Sequence, residues 1–259
     1  MIRKALLVLV CCLLPFTVSA RGIPYALKFT NGTDMRASAA ASATVNNLQQ
    51  ITVAMWVNIT TTAPAAQRNF FGKGAAANRL VGFINATTIS IQRGSSGTAP
   101  TGTVTTTNLP AFVANQPVFL VFAGDFGVNA PRIYAGNLLT PATEATSYTS
   151  AVTGSTAGHD DSADAFVFGN AGAGGTTNTL PGLIYTAQVL NRVPRDLAEI
   201  RVMQQRWTPR RGGSVLAWRL GANGAGRIID ESGTNNHGTI LTAIPVSDML
   251  PRFWLRPPT

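Results

Sequence analysis

Trp218-Arg219-Leu220-Gly221-Ala222-Asn223-Gly224-Ala225-Gly226-Arg227-Ile228-Ile229-Asp230-Glu231-Ser232-Gly233-Thr234-Asn235-Asn236-His237-Gly238-Thr239-Ile240-Leu241 is the stretch that decides how this chain folds. Just before and into it, Leu216-Ala217-Trp218-Arg219-Leu220 has the apolar character of a short strand. Asp230 to Gly238 then packs Asp, Ser, Asn and Gly into nine residues. Asp and Asn can hydrogen-bond their own backbone in such a turn, and Gly reaches positive φ without a steric cost. His237 sits inside this turn, where a structural hydrogen bond is the expectation rather than catalysis.

Outward from there, the chain repeats one theme: short apolar runs separated by Thr, Ser, Ala and Gly. That spacing predicts an all-β sandwich. The predicted strands begin with Tyr25–Phe29, closed by Asn31-Gly32. Ile51–Val57 alternates apolar residues at 51, 53, 55 and 57. Asn69–Gly74, Leu80–Phe83 and Thr88–Ile91 follow. Val118–Ala123 is a continuous apolar run, which reads as a central strand buried on both faces. Arg132–Ala135, Ala165–Phe168 and Leu183–Leu190 complete the series. One helix is predicted after Pro194, placed in its first turn, with Asp196 and Glu199 at the N-terminal end. Leu197, Ile200, Met203 and Trp207 fall at helical spacing and form its packing face. Three stretches read as soft loops: Ala37–Ala43, Gly94–Thr107 and Thr140–Asp164.

In order and spacing these fragments resemble the laminin-G-like jelly rolls of the concanavalin A-like lectin/glucanase superfamily. Trp218 to Leu241 resembles "W-x-L-D-E-G-S-G … D-x-S-G-N-G-N-H-G-T-L". Ile51–Asn58 is similar to "F-T-V-E-A-W-V-N", Phe71–Gly74 to "I-L-S-K-G", and Arg132–Gly136 to "V-R-L-Y-V-N-G". Gly182–Ile200 resembles "G-x-I-D-E-V-R-I-Y-N-R-A-L-S-x-x-E-I". The family often carries the Trp/Asp segment ahead of the sandwich, whereas here it comes last. Residues 214–259 are therefore read as a strand-and-turn extension, either a permuted edge strand or an addition packed on the same core of a single 21–259 domain. The resemblance implies an antiparallel β-sandwich, a carbohydrate-binding role and a structural calcium near the opening loop. Asp34 is the candidate ligand there, but Tyr185 and Thr186 replace the family's acidic pair. Asp160, Asp161 and Asp164 form a second candidate metal cluster, with a solvated loop as the alternative because no calcium-loop spacing is present.

Met1-Ile2-Arg3-Lys4, the apolar run Ala5–Leu14 and the small residues Val18-Ser19-Ala20 have the layout of a signal peptide covering residues 1–20. The expected destination is therefore secreted, either extracellular or periplasmic. Both cysteines, Cys11 and Cys12, lie inside that run, so Arg21–Thr259 holds no disulfide, thiolate metal site or cysteine nucleophile. Arg3 and Lys4 leave with it, so 18 of the 20 basic residues remain against 11 acidic ones, a net charge of +7. Eight arginines fall between Arg192 and Arg227. They could face a polyanion or simply water. Without interleaved aromatics or a nucleic-acid motif, no nucleic-acid partner is expected. No other apolar run approaches the length of a membrane span.

The catalytic patterns of the superfamily are missing. No E-x-D-x-x-E strand places two carboxylates on one face, as a retaining glycosidase needs. His159 beside Asp160 has no nucleophile setting, and two histidines without cysteine do not make a zinc site. The leading expectation is a non-catalytic module binding polysaccharide or a glycoprotein. Its candidate ligand-contacting aromatics are Phe126, Tyr134, Tyr148 and Tyr185, each of which could equally be a packing residue. The alternative is a structural or adhesive surface or virion protein that binds other proteins or assembles with itself. A divergent hydrolase would require distant carboxylates, such as Asp125 and Asp161, to meet.

Overall fold

The structure, a computed structural model, describes residues 26–74, 79–94, 99–154, 160–172, 177–206, 213–220 and 227–246. The expected signal peptide, Tyr25, His159 and Trp207 lie outside the described residues. In chain order the strands are β1 Ala26–Phe29, β2 Arg36–Ala39, β3 Gln50–Ile59, β4 Arg68–Lys73, β5 Leu80–Asn85, β6 Thr88–Arg93, β7 Thr101–Thr105 and β8 Val118–Asp125. Then come β9 Asn129–Asn137, β10 Thr143–Glu144, β11 Ser150–Val152, β12 Phe166–Phe168 and β13 Gly182–Leu190. Helix α1 covers Leu197–Gln205, and β14 Leu216–Arg219, β15 Arg227–Ile228, β16 Gly238–Leu241 and β17 Ile244–Val246 follow.

Two antiparallel sheets face each other. The first runs β10-β9-β8-β3-β13-β1-β17, with β14 also paired to β13. The second runs β11-β7-β6-β5-β4-β12-β2-β16-β15. The alternation of β3 sends Ile51, Val53, Met55, Val57 and Ile59 into the space between them, where they meet Phe71, Leu80, Ile89, Ile91 and Phe166 of the second sheet. A chain of ring contacts crosses this core. Phe122 lies 5.3 Å from Phe71, Phe71 5.9 Å from Phe166, Phe166 5.3 Å from Phe168, and Phe168 5.5 Å from Trp218. Offset and edge-on pairs at such spacing add to the area term.

Residues 214–246 supply strands to both sheets. β14 pairs with β13 over Thr186–Val189, beside the stretch Gly182–Ile184 that pairs with β1. β15 and β16 extend the second sheet next to β2, and β17 returns to β1. The Asp230 turn ties these pieces together. Its Oδ1 accepts from Ala217 N and Ser232 N, and its Oδ2 from Ser232 Oγ, Thr234 Oγ1 and Asn236 N. Trp218, with no exposed surface, donates its indole N–H to Asn236 O. Gly238 passes directly over that ring. A Cβ there would sit 2.8 Å from two Trp218 ring carbons, so only glycine fits.

The outer face of the first sheet is half covered. Trp56, Phe119, Val121 and Tyr185 point outward and are buried by Ile200 and Met203 of α1, together with Ala142. This is why β8 reads as apolar on both faces. Gln204 fastens the helix: its Oε1 accepts from Ala142 N at 2.6 Å, and its Nε2 donates to Asn137 O and Thr140 O. The helix starts one residue after Asp196, whose carboxylate caps Glu199 N. Pro194 therefore precedes the cap rather than occupying the first turn. Arg192 Nη1 pairs with Glu199 Oε2 at 3.0 Å, and Arg195 N donates to the same oxygen.

Two predictions follow from this packing. Gly238→Ala should destabilise by about 1–3 kcal/mol through overpacking against Trp218, read as a lowered urea midpoint at an unchanged denaturant slope. The Arg192 hydrogen bond holds Glu199 down at about 2, against 4.5 for a free glutamate. A depressed carboxylate stabilises above its unfolded pKa and loses that contribution as pH falls through the folded one. The stability gap between wild type and Glu199→Gln should thus be on the order of 1–3 kcal/mol at neutral pH and close progressively from pH 4.5 down to about 2. Chemical unfolding of both proteins across that range measures it.

Candidate functional site

Beyond the reach of α1, the outer face of the first sheet is open. Lys28 pairs with Leu183, and Leu183 with Asn58, so these three stand in one row across β1, β13 and β3. Their neighbours Leu27, Val57 and Ile184 point into the core. Strand parity therefore turns Lys28, Leu183 and Asn58 outward. A groove of about 570 Å³ lies over the row, lined also by Thr30, Asn31, Thr60, Asn115 and Pro181. Asn115 takes positive φ at 58° and donates its N–H to Ile59 O at 2.7 Å, which sets it at the rim beside the end of β3.

Among the described residues, the side-chain amides of Asn31, Asn58 and Asn115 make no hydrogen bond. Each amide offers two donors and an acceptor. Leu183 contributes a half-buried apolar floor and Lys28 an exposed ammonium. Among the described residues that line the groove there is no carboxylate or imidazole, and its one ionisable side chain is Lys28. What it can do chemically is hydrogen-bond hydroxyls or amides of a ligand whose apolar side rests on Leu183. The sequence signal for it is modest but readable: Asn58 follows the inward series 51, 53, 55, 57 by one residue and so must face out.

The aromatic candidates are dispersed. Phe126 and Tyr185 are interior, 3% and 2% exposed, so neither offers a ring face to solvent. Tyr185 instead packs under the helix, and Phe126 joins the main core. Tyr134 and Tyr148 are half-buried near β9, away from the groove strands. The Tyr148 hydroxyl accepts from Ile133 N at 2.8 Å, and the Arg132 guanidinium lies 5.3 Å from its ring. Burial raises both phenols, Tyr134 to about 12.

The acidic candidates are likewise separated and engaged. Asp34 Oδ1 accepts from Asn170 Nδ2 at 3.0 Å, and its Oδ2 lies 3.6 Å from Arg36. Asp160 stays in solvent, where hydrogen bonds from Ser162 and Asn47 hold it at about 2. Asp161 is buried. It receives Asn47 N on Oδ1, with Lys73 Nζ at 3.4 Å from that oxygen and Arg93 Nη1 at 2.9 Å from the other. Lys73 Nζ also donates to Asn46 Oδ1, to Asp161 O at 2.6 Å and to Asp164 O at 2.5 Å. Burial lowers the lysine pKa, opposed by the Asp161 charge, yet donating to three oxygens requires the ammonium. An ammonium thus sits amid the oxygens that a calcium ion would need, so the donor set does not fit a divalent cation. Among the described residues no three His, Cys, Asp or Glu side chains gather around a common point.

No protein-family model and no curated protein sequence matches this chain. Solved structures do match. A protein of Bacteroides ovatus named a "putative carbohydrate binding protein" superposes with a TM-score of 0.54 at 12% identity, over 86% of this chain and 60% of its own. This chain thus spans 60% of that protein's length. A heptameric SAP-like pentraxin from Limulus polyphemus gives 0.41 at 13% identity, over 70% of this chain and 82% of its own. Domains LG4-5 of the mouse laminin alpha1 chain give 0.40 at 14% identity, over 65% and 43%. At such identities the likeness to the first of these establishes the fold alone. The chain is a jelly-roll-like β-sandwich of two antiparallel sheets with one helix.

Breaking the internal ion cluster should be costly. Asp161→Asn leaves two buried cations without a carboxylate, and a loss of about 3–5 kcal/mol is expected. Added calcium should not change the melting temperature of the wild type, and calorimetry with calcium and with chelator reads both effects.

Proposed function

We propose that this chain is a secreted, non-catalytic binding module of the laminin-G-like, concanavalin A-like type, and that it binds carbohydrate or a glycoconjugate in the Lys28–Leu183–Asn58 groove. The observation that carries the reading is the set of three asparagine amides, unpaired among the described residues, around an apolar floor on the uncovered part of the sheet face. Planar amides can bridge neighbouring hydroxyls on a sugar ring while the ring's C–H face rests on an apolar side chain. Exposed Lys28 adds a preference for glycans with a negative group within its reach. The engaged states of Asp34 and Asp161 support a calcium-independent mode. The fold resemblance to a protein named as carbohydrate-binding agrees with this reading, but the groove chemistry is its basis.

The test is a glycan and polysaccharide panel probed with the folded chain, with calcium and with chelator. Saturable binding is expected, unchanged by chelator. Asn58→Ala and Asn115→Ala should each weaken it about tenfold, the worth of one or two hydrogen bonds to ligand, with melting temperature preserved. Binding that survives both substitutions together would place the site elsewhere. Absence of glycan binding combined with a defined multimer would favour the structural or adhesive reading.

A further inference from the structure

Lys73 and Arg93 belong to one row across the second sheet. Ala39 pairs with Phe166, Phe166 with Lys73, Lys73 with Leu80, and Leu80 with Arg93. Ala39, Phe166 and Leu80 point into the core, so the two cations of the row do as well, and neither has any exposed surface. Inside the sandwich they meet a single buried carboxylate, Asp161. Lys73 spends its three N–H bonds on Asn46 Oδ1, Asp161 O and Asp164 O. Arg93 gives only Nη1 to Asp161 Oδ2, and its backbone N–H goes to Pro100 O.

The other edge of that guanidinium, Nε and Nη2, is buried and has no partner among the described residues. Those two N–H groups are parallel and lie in the guanidinium plane along one edge, the arrangement that receives two oxygens of one carboxylate, sulfate or phosphate. Phe126 lies against the guanidinium, 5.9 Å from Cζ to ring centroid, so the ring occupies a face and leaves the edge free. Two buried cations against one carboxylate also leave a surplus positive charge.

The chain has little with which to answer that charge. No Asp or Glu occurs in the sequence between Asp34 and Asp125. Asp125 is bonded to Gln50, Glu144 to Arg132, Asp160 to Asn47 and Ser162, and Glu231 to Arg219. Asp164 gives its backbone carbonyl to Lys73 and its charge also acts on Lys73, but it makes no ion pair among the described residues, and Arg93 has Asp161 as its carboxylate. A water molecule could meet one or both N–H groups but would bring no charge.

We propose that the Nε/Nη2 edge of Arg93 is an anion site inside the end of the sandwich, taking a small oxyanion with two oxygens presented side by side. The site is separate from the glycan groove, which lies on the outer face of the opposite sheet. Enclosed as it is, it fills when the protein folds or opens locally, and the anion then belongs to the folded state.

The experiment unfolds the full chain in urea, dialyses it to remove anions, and refolds it in chloride, sulfate, phosphate or acetate at matched ionic strength. Melting temperature is then followed as each salt is titrated. A ligand bound only by the native state raises it along a saturating curve, whereas general salting effects rise without saturation. The expected result is saturation with at least one oxyanion in the wild type and only the unsaturating trend in Arg93→Gln. Saturation with sulfate or phosphate assigns an inorganic ion, and with acetate alone a carboxylate. Crystals of the wild type grown in selenate give a second readout that does not depend on the variant folding. An anomalous selenium peak on the Nε/Nη2 edge is expected when the protein carries ordinary methionine and sulfate saturates. Superimposable unsaturating curves in both proteins, or an ordered water on that edge in every salt, would overturn the proposal.

Discussion

The Asp230 carboxylate is the point on which the closure of this sandwich depends. Burial pushes its pKa up, but the hydrogen bonds from Ser232, Ala217 and Asn236 outweigh that and hold it below the ordinary aspartate value. It can afford burial only because each oxygen is saturated. Through Ala217 it grips β14 of the first sheet, and through Asn236 it reaches the second. The Asn236 side chain accepts from Ser42 Oγ and donates to Thr44 Oγ1, both in the loop after β2. Trp218 fills the space between, touching Phe168 on one side and lying under Gly238 on the other. His237 completes the arrangement by accepting Asp230 N on Nδ1 at 3.0 Å, which assigns the imidazole proton to Nε2. The turn that looked like a loop signature is therefore a junction between sheets.

The position of α1 decides where a ligand can bind. A sheet with both faces apolar needs cover, and the helix supplies it over Trp56, Phe119 and Tyr185. On two of those strands, β3 and β13, the sequence changes character at Asn58 and Leu183, and Lys28 of β1 completes their row. Covered and open halves are written on the same strands, β3 and β13, within a few residues of each other. The nine residues of α1 shield one part of the face, the groove opens on another, and Leu183 joins the two as groove floor and as a neighbour of the covered cluster.

Periodicity made the sandwich legible. The inward series of β3, the two-faced burial of β8 and the helix stripe Ile200–Met203 all follow from alternation or helical spacing, which are local properties. Seven strands were not predicted, β2, β7, β10, β11, β15, β16 and β17, and three of them show why. β2, β7 and β11 lie in stretches of Ala, Ser, Thr and Gly, and their neighbours in the sheet, rather than intrinsic preference, fix them as strands. The candidate site was less legible for a related reason. Aromatic side chains were the natural choice for sugar contacts, yet Phe126 and Tyr185 have more to gain from the core. The residues that remain at the groove are asparagines, whose role depends on which partners they lack. The state of Asp161 was beyond local reading altogether, since its two cations come from β4 and β6, far back in the chain.

The late arginines can now be weighed by what they touch. Arg192 is committed to Glu199, Arg219 to Glu231, and Arg201 donates to Ala142 O as part of the helix anchorage. Arg195, Arg206 and Arg227 are exposed, but they sit at the start of the helix, at its end and on β15 of the other sheet. A density of positive charge along the sequence has been divided in space between pairing, helix docking and separate surfaces. A polyanion track needs cations in a continuous line, and the described arginines do not form one. The concentrated positive charge of this protein lies inside, where Lys73 and Arg93 face one carboxylate. There the low dielectric makes each unmatched charge matter far more than on the surface.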